Sequence, residues 1–276
     1  MFQFLKENNK YLYHYTSIEK ATNFILKNRT LMFNSLRGTN DPKEYKNWKF
    51  DFYIEDNLSP THEESIQLWH DVSNEIKTKC KVLCFSKDMS GLGENFLSDI
   101  YLRGYSKPRM WAQYGDRHKG LCLIFDRERI KSLLTEQFDK KADLYGSDIT
   151  YRNSPLKGDI MKSPYTLHYP LLKELGVAEY VKRHIYTHNA ELIFEKSLDW
   201  KDENEFRFLI LIDSVDNQFL NYNNALKGIV FGADTEEEDQ RKVFQLTYKG
   251  GTQFEQIRYS NGTPWYSFKD FRAYHA

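Results

Sequence analysis

Two pairs of side chains in this sequence have the types and spacing for chemistry on a sugar nucleotide. The first is His14 with Thr16, inside Tyr11-Leu12-Tyr13-His14-Tyr15-Thr16-Ser17. A histidine on a strand rim can give one ring hydrogen bond to a ribose hydroxyl while staying neutral, and Thr16 can support it. Small polar residues where a strand hands over to a helix are well placed to meet a phosphate or sugar. The second pair is Glu203 with Glu205, inside Trp200-Lys201-Asp202-Glu203-Asn204-Glu205-Phe206-Arg207. On an extended segment, residues two apart share a face. Two such carboxylates repel, so one pKa is expected to rise. The pair suits a site where positive charge develops on a sugar carbon. The plainer readings are a half-buried histidine satisfied by backbone, and a solvated turn with Arg207 or Lys201 as ion partners.

Trp111, Tyr114 and Phe85 add flat rings that could sandwich a nicotinamide, with a cation–π contribution of about 0.5–2 kcal/mol. Rings in so aromatic a chain also build cores. His184, His188 and Glu191 fall at i, i+4 and i+7 of an expected helix, a spacing open to a metal but equally common on helix faces. Cys80 and Cys84 lack the partner pair of a zinc site. Neither GxGxxG nor GxxxxGK occurs. No metal is expected.

The elements that must position these residues are read from periodicity. A strand ending in Leu12–Thr16 leads to a helix with Ile18, Ala21, Ile25 and Leu26 on one face, with Ser17 as N-cap. A second strand starts at Leu31 and Phe33, and the stretch 37–42 is a loop. Residues 43–79 read as helical and surface-exposed, broken at 59–61, with Ile66, Trp69, Val72 and Ile76 inward in the second part. Val82–Ser86 is a buried strand, and 87–107 a loop or lid. Met110–Tyr114 reads as a turn or two of helix, and Gly120–Phe125 as a strand. A helix over 127–138 and a strand over 148–152 precede an irregular stretch, 153–176, marked by Pro155, Pro164 and Pro170. A long helix over 177–196, strands over 206–212, 226–232 and 256–259, and a helix over 235–246 complete the set. No internal repeat or linker is evident, so one mixed α+β domain over 1–276 is expected.

The bulk numbers agree. The 276 residues are enough for a substantial core. Lysine plus arginine equals aspartate plus glutamate at 39 each, which argues against general coating of nucleic acid. Three cysteines, Cys80, Cys84 and Cys122, fit a reducing compartment rather than a disulfide framework. The opening residues have no signal-peptide layout, and no run of about 18 apolar residues occurs. A cytoplasmic protein with no membrane partner is expected.

Several motifs together resemble an uncharacterised bacterial family, a domain of unknown function. They are Asn40-Asp41-Pro42-Lys43-Glu44, Cys84-Phe85-Ser86, Met110-Trp111-Ala112-Gln113-Tyr114, His118-Lys119-Gly120 and the 200–207 segment, in that order. More distantly, Tyr13-His14-Tyr15-Thr16 followed by Ile25-Leu26-Lys27-Asn28-Arg29-Thr30-Leu31 resembles the opening of ADP-ribosyltransferases, where the form is Tyr-His-x-Thr and then Ile-Leu-x-x-Gly-Leu. The glycine is missing here. In that superfamily the histidine holds the adenosine-side ribose of NAD, an aromatic ring packs on the nicotinamide, and a glutamate promotes departure of the base.

The resemblance implies an ADP-ribosyltransferase-like split mixed β-sheet core with added helices, and NAD as substrate. His14, Tyr15, Thr16, Phe85, Ser86, Trp111 and Tyr114 would hold NAD. Glu205 and Glu203 would be catalytic, and Asn40, Asp41, Glu44 and Arg207 are expected to bind substrate. The acceptor would be a protein or nucleic acid, in a toxin or anti-phage setting with a phage protein as trigger. Three rivals stand beside this: a NAD glycohydrolase, a non-catalytic sensor or interaction module, and a metal-dependent nuclease built on Asp41, Glu44, Glu203 and Glu205.

Overall fold

The computed structural model describes residues 2, 10–55, 58–93, 95–153 and 163–275. Its strands are β1 (Tyr11–Thr16), β2 (Thr30–Ser35), β3 (Asp51–Tyr53), β4 (Cys80–Ser86), β5 (Leu121–Asp126), β6 (Ala142–Asp148) and β7 (Thr150–Tyr151). Then follow β8 (Thr166–His168), β9 (Glu195–Lys196), β10 (Glu205–Ile212), β11 (Gln218–Asn221), β12 (Leu226–Phe231), β13 (Gln253–Ser260) and β14 (Thr263–Tyr266). Ten of these form one mixed sheet in the order β11-β2-β4-β1-β5-β12-β13-β14, with β10 paired to β4 and β6 paired to β10. Its ladders are antiparallel except for β12 with β13. The expected mixed α+β architecture is therefore present.

The sheet forks at β4. One edge of β4 pairs with β10 along its length, from Ser86 opposite Glu205 to Cys80 opposite Leu211. The other edge is divided. Ser86 pairs with Tyr13 of β1, while Val82 and Lys81 pair with Asn34 and Ser35 of β2. Between those contacts β1 and β2 part, and residues 83–85 face the gap.

Side-chain alternation sorts the two faces of the sheet. Leu12, Leu83, Phe85, Leu123, Phe125, Phe206 and Phe208 lie on one face. That face is covered by the helices Arg127–Phe138 and Glu237–Thr247 and by the helical run after β1, through residues such as Leu133, Val243 and Ala21. The other face carries two separate clusters. Val82, Leu209 and Leu211 meet the helices His62–Lys79 and Tyr169–Leu192 through Ile76 and Ile185. Tyr13, Tyr15, Cys122 and Ile124 meet Tyr105, Met110 and Trp111. The seam between these two clusters receives Glu205 and Arg207.

Local chemistry explains the ends of these elements. Ser17 accepts from the backbone N–H of Lys20 as the expected N-cap, and Thr61 does the same for Glu64. The run after β1 passes from an α turn (Ile18–Lys20) through a π-helical stretch (Ala21–Ile25) to another α turn (Leu26–Asn28). It ends at Arg29 with φ 55. Arg29 thus holds a left-handed conformation that glycine would adopt more freely.

Several boundaries differ from expectation. Residues 43–79 are not one helical region: a short helix, Pro42–Tyr45, is followed by β3 and then by the helix His62–Lys79. Residues 56 and 57 lie outside the described residues. Ile66 is exposed rather than inward, while Val72 and Ile76 are buried. The stretch 87–107 holds helical turns at Phe96–Asp99 and Ile100–Leu102. The strand expected over 148–152 is split between β6 and β7. The helix expected from 177 is preceded by a helical segment from Tyr169, with Pro170 in its first turn, where no N–H is needed, and the two run together across Gly176. Gly176, with φ 74, kinks the joined helix, and it ends at Leu192 so that Glu195–Lys196 can form β9. Residues 154–162, including Pro155, lie outside the described residues. No helix among the described residues is long and apolar enough to cross a membrane.

Candidate functional site

At the fork lies a cavity of about 250 Å³. β1 lines it with Tyr13, His14 and Tyr15, β2 with Asn34, and β4 with Val82, Cys84, Phe85 and Ser86. β10 contributes Glu205 and Arg207, and the segments around them contribute Asn40, Met110, Tyr114, Lys196 and Glu203. Residues far apart in sequence meet because β1 and β10 flank the same end of β4. Tyr13, Ser86 and Glu205 stand in one row across three strands. At a spacing of about 4.8 Å per strand, the β1 and β10 backbones are roughly 10 Å apart there.

Glu203 and Glu205 converge, though not on a continuous strand. Glu203 ends a 3-10 turn, Asn204 takes φ 44, and Glu205 opens β10. Both carboxylates reach the Lys196 ammonium, at 2.9 and 2.7 Å. Arg207 Nε donates to Glu205 Oε1 at 2.8 Å, and its Nη1 lies 2.8 Å from Glu44 Oε1. Tyr114 donates its hydroxyl proton to Glu203 Oε1 at 2.7 Å and accepts from Asn40 Nδ2 at 2.7 Å. Ser86 donates to the Glu203 carbonyl, and the Glu205 N–H donates to Tyr151 Oη at 2.9 Å.

The expected rise in one carboxylate pKa does not appear at Glu205. Burial works to raise it, but Arg207 and Lys196 outweigh burial and hold it at about 2. Arg207 is the ion partner named in the plainer reading, whereas Lys196 takes the place expected for Lys201. Glu44, Glu203 and Glu205 against Lys196 and Arg207 leave this buried cluster with a formal charge of −1.

His14 is neutral at pH 7, because burial lowers its pKa. Its Nδ1 lies 3.3 Å from the Cys84 carbonyl. A carbonyl only accepts, so Nδ1 carries the proton and Nε2 is left as an acceptor. The ring N–H expected to serve a ribose is spent inside the fork, and Nε2 offers the complementary role. Register places His14 on the Phe85 face, with ring centroids 5.8 Å apart, and Glu205 on the opposite face. The cavity borders both because the sheet is open between β1 and β2.

Of the other residues singled out from sequence, Tyr15, Phe85, Ser86, Tyr114, Asn40 and Arg207 also line the cavity. Tyr15 donates to the Gly104 carbonyl at 2.7 Å, and Phe85 is largely core, edge-on to Phe125 and Phe208. Four do not line it. Trp111 is wholly buried, its Nε1 donating to the Tyr105 carbonyl at 2.8 Å and its ring against Tyr15. The plainer core reading holds for Trp111, and Tyr114 is the ring that reaches the cavity. Thr16 is buried in the strand. Asp41 caps the helix Pro42–Tyr45 by accepting from the Lys43 N–H at 2.9 Å. Glu44 sits behind Arg207. The Asn-Asp-Pro-x-Glu loop therefore supports the site from beneath, with Asn40 as its reach into the cavity.

The proposed nuclease carboxylates are engaged with cations and a helix end, and His184 Nε2 donates to the Pro164 carbonyl at 2.8 Å. Among the described residues, no group of three or more His, Cys, Asp or Glu side chains is placed to hold a metal. Sequence reasoning missed Lys196 and Tyr151. Neither belongs to a motif, and only the β7–β9 pairing brings them to the site.

Residues 110–208 match the family model Protein of unknown function (DUF2971). The DUF2971 span covers Met110–Tyr114, the His118-Lys119-Gly120 segment, Lys196 and the acidic motif up to Arg207. The Asn-Asp-Pro-x-Glu loop and β4 precede it, so the cavity joins this span to an earlier part of the chain. No curated protein and no solved structure matches the chain.

Proposed function

We propose that the cavity binds NAD and that the protein is an ADP-ribosyltransferase-like enzyme acting on a macromolecule. One observation carries this reading: His14 and Glu205, the two ends of the resemblance to transferases, border one cavity at a split in the sheet. The cavity is smaller than the ~300–1,000 Å³ of ordinary ligand sites, so it takes one end of a dinucleotide and leaves the rest on the surface.

The charge arrangement suits the chemistry. When the bond from the ribose carbon to nicotinamide breaks, the electron pair leaves with the nicotinamide and positive charge grows on the ribose. Glu205 is held ionised, and the cluster around it keeps a net negative charge to stabilise that state. The acceptor nucleophile then bonds to the same carbon and gives up its proton, with Glu203 as the group that orients it or takes the proton. His14 Nε2 accepts from a ribose hydroxyl, and Tyr114 offers a ring face for the base.

The test is nicotinamide release and transfer of label from adenylate-labelled NAD in the presence of cell extract. Glu205→Gln is expected to slow both by about 100–1000-fold, roughly 2.7–4 kcal/mol. NAD binding should survive, since the lost interaction acts mainly in the transition state. Wild-type turnover by Glu205→Gln overturns the assignment. Nicotinamide release with no labelled product marks a glycohydrolase, and absence of NAD turnover by the wild type marks the sensor reading.

A further inference from the structure

We infer that Lys196 is a positioning residue for the carboxylate pair, a single ammonium that fixes Glu203 and Glu205 side by side. Each carboxylate oxygen of the pair has a partner. Glu205 Oε1 accepts from Arg207 and Oε2 faces Lys196 at 2.7 Å. Glu203 Oε1 accepts from Tyr114 and Oε2 accepts from Lys196 at 2.9 Å. Lys196 is the partner that the two acids share.

The fold is built to deliver it. The two-residue strand β9 pairs in parallel with β7, placing Lys196 beside Tyr151. The Tyr151 hydroxyl in turn accepts the Glu205 N–H, so the same small ladder grips Glu205 by backbone and by side chain. Lys196 is buried, and its ammonium lies 5.6 Å from the centre of the Trp200 ring. A lysine buried alone would shed its proton. Here burial is outweighed by Glu205, Glu44 and Glu203, which keep the ammonium charged against the like charge of Arg207. Asp41, Cys84, Tyr114 and Tyr151 are further titratable groups that feel it. Removing the ammonium leaves two carboxylates competing in a buried seam with Arg207 bound to one of them. One must then take up a proton.

The experiment is a pH titration of glutamate side-chain carboxyls by 13C NMR, with Glu203→Gln and Glu205→Gln used to assign the signals. Lys196→Met is expected to raise the midpoint of one carboxyl of the pair by about 2 pH units. Lys196→Arg, which keeps the charge, should restore it. Lys196→Met with both midpoints within about half a pH unit of wild type overturns the inference. If Lys196→Met alone does not fold, the comparison is made in Glu203→Gln, which buries one carboxylate fewer. There Lys196→Met should still raise Glu205 by about 1 pH unit or more, and no rise overturns the inference.

The catalytic side of this role rests on the reading of Glu205 given above. It predicts that the acid limb of nicotinamide release moves upward with the carboxyl midpoint and returns with arginine. The titration needs no turnover. A shifted carboxyl in a protein that never turns over NAD leaves Lys196 in its role and removes the transferase reading; turnover with unshifted carboxyls does the reverse.

Discussion

β5 and β10 are both interior strands of the same sheet, buried end to end or nearly so, yet they are made of different material. β5 runs Leu121, Cys122, Leu123, Ile124 and Phe125, each with no exposed surface, between β1 and β12. β10 runs between β4 and β6 with an equally apolar second half, but it opens on Glu205 and Arg207, at 4% and 0% exposure. Packing dictates the first strand. It does not dictate the start of the second, because a buried ion pair is commonly matched or bettered by apolar side chains of similar volume. The charged start of β10 borders the cavity, and under the proposed function it acts there.

On the β5 side, Leu123→Ala is expected to lose about 2–5 kcal/mol and Trp111→Ala about 3–5 kcal/mol in chemical denaturation. Under the proposed function, the remaining folded protein should bind and turn over NAD as the wild type does. On the β10 side, Arg207→Met alone should lose about 3–5 kcal/mol, because Glu44 loses its ion partner and Glu205 keeps only Lys196. Replacing all three, with Glu44→Leu, Glu205→Leu and Arg207→Met, should recover most of that loss while turnover stays abolished. A triple variant as unstable as Arg207→Met would mean that the charged opening of β10 is structural, and the contrast with β5 would fail.

The charged seam can also be set against the lone buried imidazole of the long helix. Burial drives His184 down to about 4, with His188 adding to the effect against the hydrogen bond to Pro164. Between pH 4 and about 6.5 the unfolded chain holds more protons than the native one, so native stability rises with pH there. The full effect is roughly 3 kcal/mol, and His184→Gln should remove it. Glu205, held at about 2, contributes stability that is present above about 4.3 and is lost as pH falls through 2. Glu205→Gln should flatten this lower window and leave the upper one. Denaturant midpoints measured from pH 7 to pH 2 separate the two.

The same contrast explains what the sequence made legible. The strands around Leu123 and Leu209 and the helix Arg127–Phe138 follow from apolar runs and helical period, and they form where expected. β6 and β11 were not foreseen, because their residues are largely half-buried or exposed and carry little alternation. Pro170 was read as a breaker, although it begins a helix. Glu203, Glu205 and His14 were legible as candidates, although the turn at Asn204, not the spacing of an extended strand, brings the two acids together. Lys196 was not, since no spacing rule encodes a contact made by a two-residue parallel ladder. Trp111 and Tyr114 share one motif, and nothing in their types says which ring turns inward. That choice is made by the core around Tyr15 and Tyr105.

Tyr114 offers the smallest and most discriminating change. Its hydroxyl bridges exposed Asn40 and buried Glu203. Tyr114→Phe keeps the ring and removes that bridge. Asn40 can turn to water, so the stability loss is expected to be only about 0.5–1.5 kcal/mol. Glu203 then keeps Lys196 but loses the contact that fixes its second oxygen. If Glu203 serves the acceptor, label transfer should fall several-fold more than nicotinamide release, because departure of the base depends on Glu205, whose partners are untouched. Trp111→Phe is the control from the other region: it should lower stability further than Tyr114→Phe and leave the ratio of transfer to release unchanged. Equal losses of transfer and release in Tyr114→Phe would make Glu203 part of the base-departure step and remove the division of labour between the two acids.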